Sequence, residues 1–218
     1  MDITQALKIV QAFSADSLTN RIASLEFAFS SQSADGITKH LNAENIDSSL
    51  IEAGFEITHS AAQINVIIHA VGMLVSLPHI LQTGETVESL SLGAGNTGRK
   101  FNLITNLRVA EFKFIEWQGG SESARQNTVF YAFFTLAEHD SSRKRCLYLL
   151  GTDEALKFLQ GKRSLESVLK KNQTIRDQFY ARYDKQFSVV SDYYKTKRDV
   201  VDILDLRSVI PSIWGASV

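Results

Sequence analysis

The chain has 218 residues, 44% of them hydrophobic and 22% charged, enough for one ordinary core or a main domain with a small appendage. Aromatics at 10%, with only 2 Pro and 12 Gly, exclude a disordered, collagenous or linker-rich chain. The single cysteine, Cys146, excludes an intramolecular disulfide and a cysteine-based zinc site.

The net charge of −1 hides an asymmetry. Residues 1–60 carry three basic and eight acidic side chains, residues 61–140 five and seven, and residues 141–200 fourteen and seven. A basic third quarter beside an acidic front suits an anionic partner met by one face, and it equally suits exposed helices that Lys and Arg keep solvated. Met1-Asp2-Ile3-Thr4-Gln5 lacks a basic region followed by an apolar run. No signal peptide is expected, and the expected location is cytoplasmic.

In chain order, Ile3, Leu7, Val10 and Phe13, then Ile22, Leu25 and Phe29, recur every three to four residues and predict helices over 3–31. The polar stretch 30–39 reads as a link to a short helix over 43–53, capped by Asn42 and stopped by Gly54. Residues 61–81 form the most apolar segment. Gln63, Asn65, His69, His79 and Pro78 interrupt it, and neither flank is rich in Lys or Arg, so a buried core helix is expected rather than a membrane span. His69 and His79 are ten residues apart rather than four, and read as satisfied core or helix-end histidines.

After Gly84 the period changes to two. Residues 86–92 alternate as a strand, and 93–98 form a glycine-rich turn cluster. Residues 101–104 and 107–117 predict a hairpin about Thr105-Asn106. A helix capped by Ser121 follows to about Glu138, and 146–150 form a buried-type strand stopped by Gly151. Helices are expected over 153–160, 164–171 and 174–183, a strand over 187–190, and a last helix from Ser191. With no internal repeat and no long linker, one domain is expected over 1–218. It comprises a helical N-terminal addition (1–60), a core (61–151) and a basic, mainly helical C-terminal part (152–218). The order helix, three strands, helix, strand is an α/β pattern with helices on both sides of a small mixed sheet.

The segment with chemistry in it is Glu111-Phe112-Lys113. On a strand Glu111 and Lys113 point to the same face, about 6.6 Å apart along the chain, while Phe112 and Phe114 face apolar packing. Such a pair is either structural or a site. The carboxylate can hold a hard divalent cation, and the lysine can orient a water or offset phosphoryl charge.

This arrangement resembles the PD-(D/E)xK nuclease superfamily, RecB-type branch. Glu111-Phe112-Lys113 matches the acid-x-Lys element, position 102 matches the acid of the preceding strand, and Gln126 with Phe130 matches Gln-x-x-x-Tyr with Phe for Tyr. The resemblance covers about 90 residues. It implies a restriction-endonuclease-like αβββαβ core and hydrolysis of DNA phosphodiesters with Mg2+ or Mn2+. In that scheme Asn102, Glu111, Lys113 and Gln126 are catalytic, and Asn102 and Glu111 bind the metal. Position 102 is Asn, however, which brings no negative charge. Three explanations stay open: an inactive relative, a substitution at a catalytic position, or a site completed by another acid, Glu88 or Glu85, with Glu88 the expected further metal ligand. Arg99, Arg125, Lys144 and Arg145 are candidate nucleic-acid contacts. The alternative to a nuclease is an inactive nucleic-acid-binding or scaffold subunit of a defence or repair complex. Expected partners are nucleic acid, chiefly DNA, and a second copy or a partner protein in a multi-component system, with no membrane.

Smaller signals point elsewhere. The glycine cluster lacks the Gly-Lys-Ser/Thr ending of a P-loop, and no Gly-x-Ser-x-Gly occurs. Trp117, Tyr131, Phe133 and Phe134 read as packing. Tyr193-Tyr194 with Lys195, Lys197 and Arg198 is the best aromatic-plus-basic patch.

Overall fold

The computed structural model describes residues 1–14, 17–30, 32–93, 98–114, 117 and 122–210. Contacts divide the chain into two compact units, Met1–Val66 and Ile67–Val218. The expected caps at Ser121 and the centre of the glycine cluster lie outside the described residues.

The first unit is helical: α1 (Ile3–Ser14), α2 (Leu18–Phe29), α3 (Ala34–Ala43) and the first part of α4 (Ser48–Ile80). Ser17 and Ser33 side chains accept the amides of Asn20 and Gly36, which sets the starts of α2 and α3. Two boundaries differ from expectation. The polar stretch 30–39 holds the start of α3, and Gly54 does not end a helix but lies inside α4. Glycine costs a helix about 1 kcal/mol, but Phe55 and Ile57 continue the helical spacing beyond it. The Asp47 carboxylate, accepting the Ser49 amide at 2.8 Å, marks the true start of α4.

The second unit is an α/β layer structure with a five-stranded mixed sheet in the order β1 (Val87–Leu90), β2 (Leu103–Thr105), β3 (Arg108–Lys113), β4 (Lys144–Leu149) and β5 (Asp202–Asp205). The first three strands form an antiparallel meander, and β4 and β5 continue it in parallel. α5 (Ser123–Ala137) makes the crossover between β3 and β4. It is followed by α6 (Asp153–Leu159), α7 (Leu165–Leu169), α8 (Gln173–Tyr183), α9 (Val190–Lys197) and α10 (Leu206–Val209).

Strand alternation sorts the core into two layers. Val109, Leu147 and Leu149 join Phe130, Phe133 and Phe134 of α5, Phe179 of α8 and Tyr193 of α9 on one face. Ala110, Phe112, Cys146 and Tyr148 join Met73 and Ile80 of α4 on the other. Cys146 is buried, as expected of an inert thiol. The expected strand at 187–190 is a single bridge, Ser164 to Val189, because α9 begins at Val190. The unexpected strand is β5, whose apolar residues close the sheet beside β4.

Two readings of side chains change. The Tyr193 patch is divided: Tyr193 is buried in the core and its hydroxyl, with that of Tyr183, donates to Glu138 at 2.7 Å, while Lys197 pairs with the same carboxylate at 3.0 Å and Lys195 and Arg198 stay exposed. And α4 is not a buried core helix. Its length and composition would suffice to cross a membrane, yet the stretch 61–68 is exposed throughout. Of its C-terminal part, one stripe, Gly72, Met73, Ser76 and Ile80, is buried. A sheet surface covers one side of a helix and no more.

Candidate nucleic-acid site at the end of β3

Glu111 and Lys113 are on one face of β3, and Lys113 Nζ donates to Glu111 Oε2 at 2.8 Å. Asn102, just before β2, stands against this segment: its Oδ1 accepts the Phe112 backbone amide at 2.9 Å. That bond settles the orientation of the amide, because the reverse would set an NH2 group against an N–H. The Asn102 Nδ2 therefore faces away, 3.5 Å from His69 Nε2. Nε2 is then the acceptor and the imidazole is neutral. Its pKa lies below the ordinary value, because burial disfavours the cation and Lys113 repels it, with Glu111 opposing.

Two glycines place His69. A Cβ on Gly72 would lie 2.5 Å from the Phe114 ring, so only glycine lets α4 come this close to β3, and that ring in turn meets His69 edge-on at 5.9 Å. Gly93, at φ +85°, passes so near that a Cβ there would lie 3.2 Å from the imidazole. Sequence reasoning passed over His69 as a core residue. The available signal was an imidazole three residues before a glycine in the most apolar stretch of the chain.

The other expected site residues do not join this group. Glu88 is gripped by Arg143 at 2.7 and 3.1 Å, beside the first residue of β4, whereas Lys113 is opposite Leu149, its last. Glu85 is buried in a pair with Arg108. Gln126 makes no hydrogen bond to Glu111 or Lys113, and its Oε1 is buried without a partner. Arg125 pairs with Glu122 at 2.5 Å. Lys113, Trp117, Arg125, Val129, Leu149, Gly151 and Ala155 line a cavity of about 10 Å³. That is room for one water and not for a phosphate group.

The four basic residues singled out as nucleic-acid contacts are each engaged locally. Arg99 donates to the Leu90 carbonyl, Lys144 pairs with Asp202 at 3.0 Å, and Arg145 donates to the carbonyls of Ser141 and Ala137 at 2.9 and 3.3 Å. Lys162, Lys170, Lys171, Arg176, Lys185 and Lys195 are exposed and have no ion pair among the described residues.

As a divalent-cation site the cluster is short of donors. Mg2+ and Mn2+ want several hard oxygens. Here the one carboxylate is already shared with a lysine, the Asn102 amide spends its oxygen on a backbone N–H and turns its nitrogen to an imidazole, and among the described residues no three His, Cys, Asp or Glu converge. Compared with known protein families, with curated proteins and with solved structures, the chain finds no match.

Proposed function

We propose that this chain is a cytoplasmic DNA-binding domain of the PD-(D/E)xK type whose hydrolytic centre is held incomplete by Asn102. The observation that carries the reading is the fixed amide of Asn102: its oxygen is spent on the Phe112 N–H, and its NH2 occupies the place where a second carboxylate oxygen would face the cluster. The meander of three strands, the crossover helix and the parallel fourth strand, with Glu111 and Lys113 on the third, support the resemblance on which the assignment to DNA rests. The exposed lysines of residues 162–195 supply cations for a phosphate backbone, which makes binding steeply salt-dependent.

In this function Lys113 contacts a phosphate while Glu111 limits how tightly it is held, and His69 stays neutral. The test is a cleavage and binding assay with linear, circular and single-stranded DNA in Mg2+ and Mn2+. The chain as written binds without cutting, Asn102→Asp cuts, and Asn102→Asp with Lys113→Ala does not. Cutting by the chain as written, lost on Lys113→Ala, would show the centre to be complete with Asn102. Neither binding nor cutting by any of the three would leave a protein-binding role.

A further inference from the structure

In the unit that begins at Ile67, α4 has two apolar faces. At 3.6 residues per turn, Gly72, Met73, Ser76 and Ile80 share one side, and that side is buried. Ile67, Ile68, Val71, Leu74 and Val75 share the opposite side and are 57, 44, 51, 46 and 42% exposed. Their spacing of i, i+1, i+4, i+7 and i+8 is the stripe by which one helix seats its side chains between those of another. A helix apolar all round belongs inside an assembly. This stripe leaves on the order of 400 Å² of aliphatic surface bare, about what the largest patch on a monomer reaches, and such patches mark interaction sites.

We propose that this stripe is where a second copy of the chain docks, helix against helix about a two-fold axis. Charge selects a copy over another partner. Pairing two identical surfaces sets each charge near its own like, and from Ile57 to Gly84 there is no Asp, Glu, Lys or Arg to oppose itself. A two-fold contact also asks only that one patch be complementary to itself. Two such stripes bury roughly 800 Å² in total, short of the ~1,000 Å² of a standard specific interface, which makes the dimer weak and reversible rather than obligate. A bilayer suits the stripe less well. The inner face of the same helix rests on a sheet with the buried Glu85–Arg108 pair, and neither end of the stripe has a lysine or arginine for headgroups. The proposal does not depend on the DNA-binding reading.

The experiment is sedimentation velocity on the full chain across a concentration series, with thermal melting as a check on folding. The parent chain passes from monomer to dimer. Val71→Glu buries a charge against its mate and weakens association by about tenfold or more. Because Val71 is exposed, its melting temperature hardly moves. Thr174→Glu, at an exposed position on α8, leaves association unchanged, and Val71→Cys forms an intermolecular disulfide under oxidation that buried Cys146 does not. Three results would each overturn the proposal: a monomer at every concentration, a dimer indifferent to Val71→Glu, or a monomer that floats with phosphatidylserine–phosphatidylcholine vesicles unless Val71 is replaced.

Discussion

At the start of β3, Arg108 grips Glu85 through two bonds of 2.6 and 2.5 Å, with their side chains 6 and 0% exposed. At the end of the same strand, Lys113 meets Glu111 through one contact of 2.8 Å, with side chains 22 and 12% exposed. Thr105 and the Gln82 amide complete the coordination of Glu85, and Arg108 reaches on to Tyr148 at 2.6 Å. Among the described residues, the Glu111 carboxylate has Lys113 as its one hydrogen-bond partner. A buried pair held from several sides by its neighbours serves to hold the fold. A pair at the wet end of a strand, with valences to spare, is available to a ligand.

The largest effect expected from this contrast is on stability. Arg108→Met leaves the Glu85 carboxylate buried without its counter-charge and costs about 3–5 kcal/mol, whereas replacing both partners with Glu85→Gln and Arg108→Met costs far less. Urea unfolding of the single and double variants checks this. Gly72→Ala comes next. The new methyl meets the Phe114 ring, at a cost of about 1–3 kcal/mol from overpacking, and the displaced ring disturbs His69, visible in its imidazole resonances.

Acid separates the two ends of β3 as well. Burial pushes the Glu85 carboxyl upward, but the bonds from Arg108, Thr105 and the Gln82 amide outweigh it and hold its pKa at about 2 against an ordinary 4.5. A carboxyl depressed by folding contributes fully above its unfolded value and loses that contribution as pH falls through the folded one. The urea midpoint of the parent chain should therefore drop between pH 4.5 and about 2, and that part of the drop should vanish in the double variant.

Lys113→Ala, by contrast, changes stability by no more than about 1 kcal/mol, since the pair is partly exposed. It weakens DNA binding severalfold, and Glu111→Gln tightens it, as read in titrations at fixed salt. The smallest effect is spectroscopic. In Asn102→Asp a carboxylate replaces the amide 3.5 Å from His69, which reverses the direction of the imidazole shift from below its ordinary value to above it. An NMR titration that left His69 depressed would disprove this placement of residue 102.

Local patterns were legible wherever one period of structure decides the outcome. The hairpin at Thr105-Asn106, the strand over 146–150 and the shared face of Glu111 and Lys113 all follow from alternation, which holds whatever the strand packs against. The helices expected over 164–171 and 174–183 followed from helical spacing, and the structure starts them at the caps Ser164 and Asn172. β5 was missed because Val201, Ile203 and Leu204 make too short a run to declare a strand until β4 offers its free edge. The four basic residues were read as phosphate contacts from their charge, and what each pairs with depends on neighbours that the pattern does not contain.

What the sequence by itself determined about this protein is therefore its α/β class, the approximate strands and helices of residues 84–183, and the juxtaposition of a carboxylate with an ammonium on β3. These rest on φ/ψ periodicity and on interactions a few residues long. Tertiary structure alone decided that Arg108 takes Glu85, 23 residues away, that Asn102 turns its nitrogen to His69, 33 residues away, and that only one side of α4 is covered. Such choices belong to strand register and to the approach of a helix through Gly72. A chain read one period at a time carries no record of either.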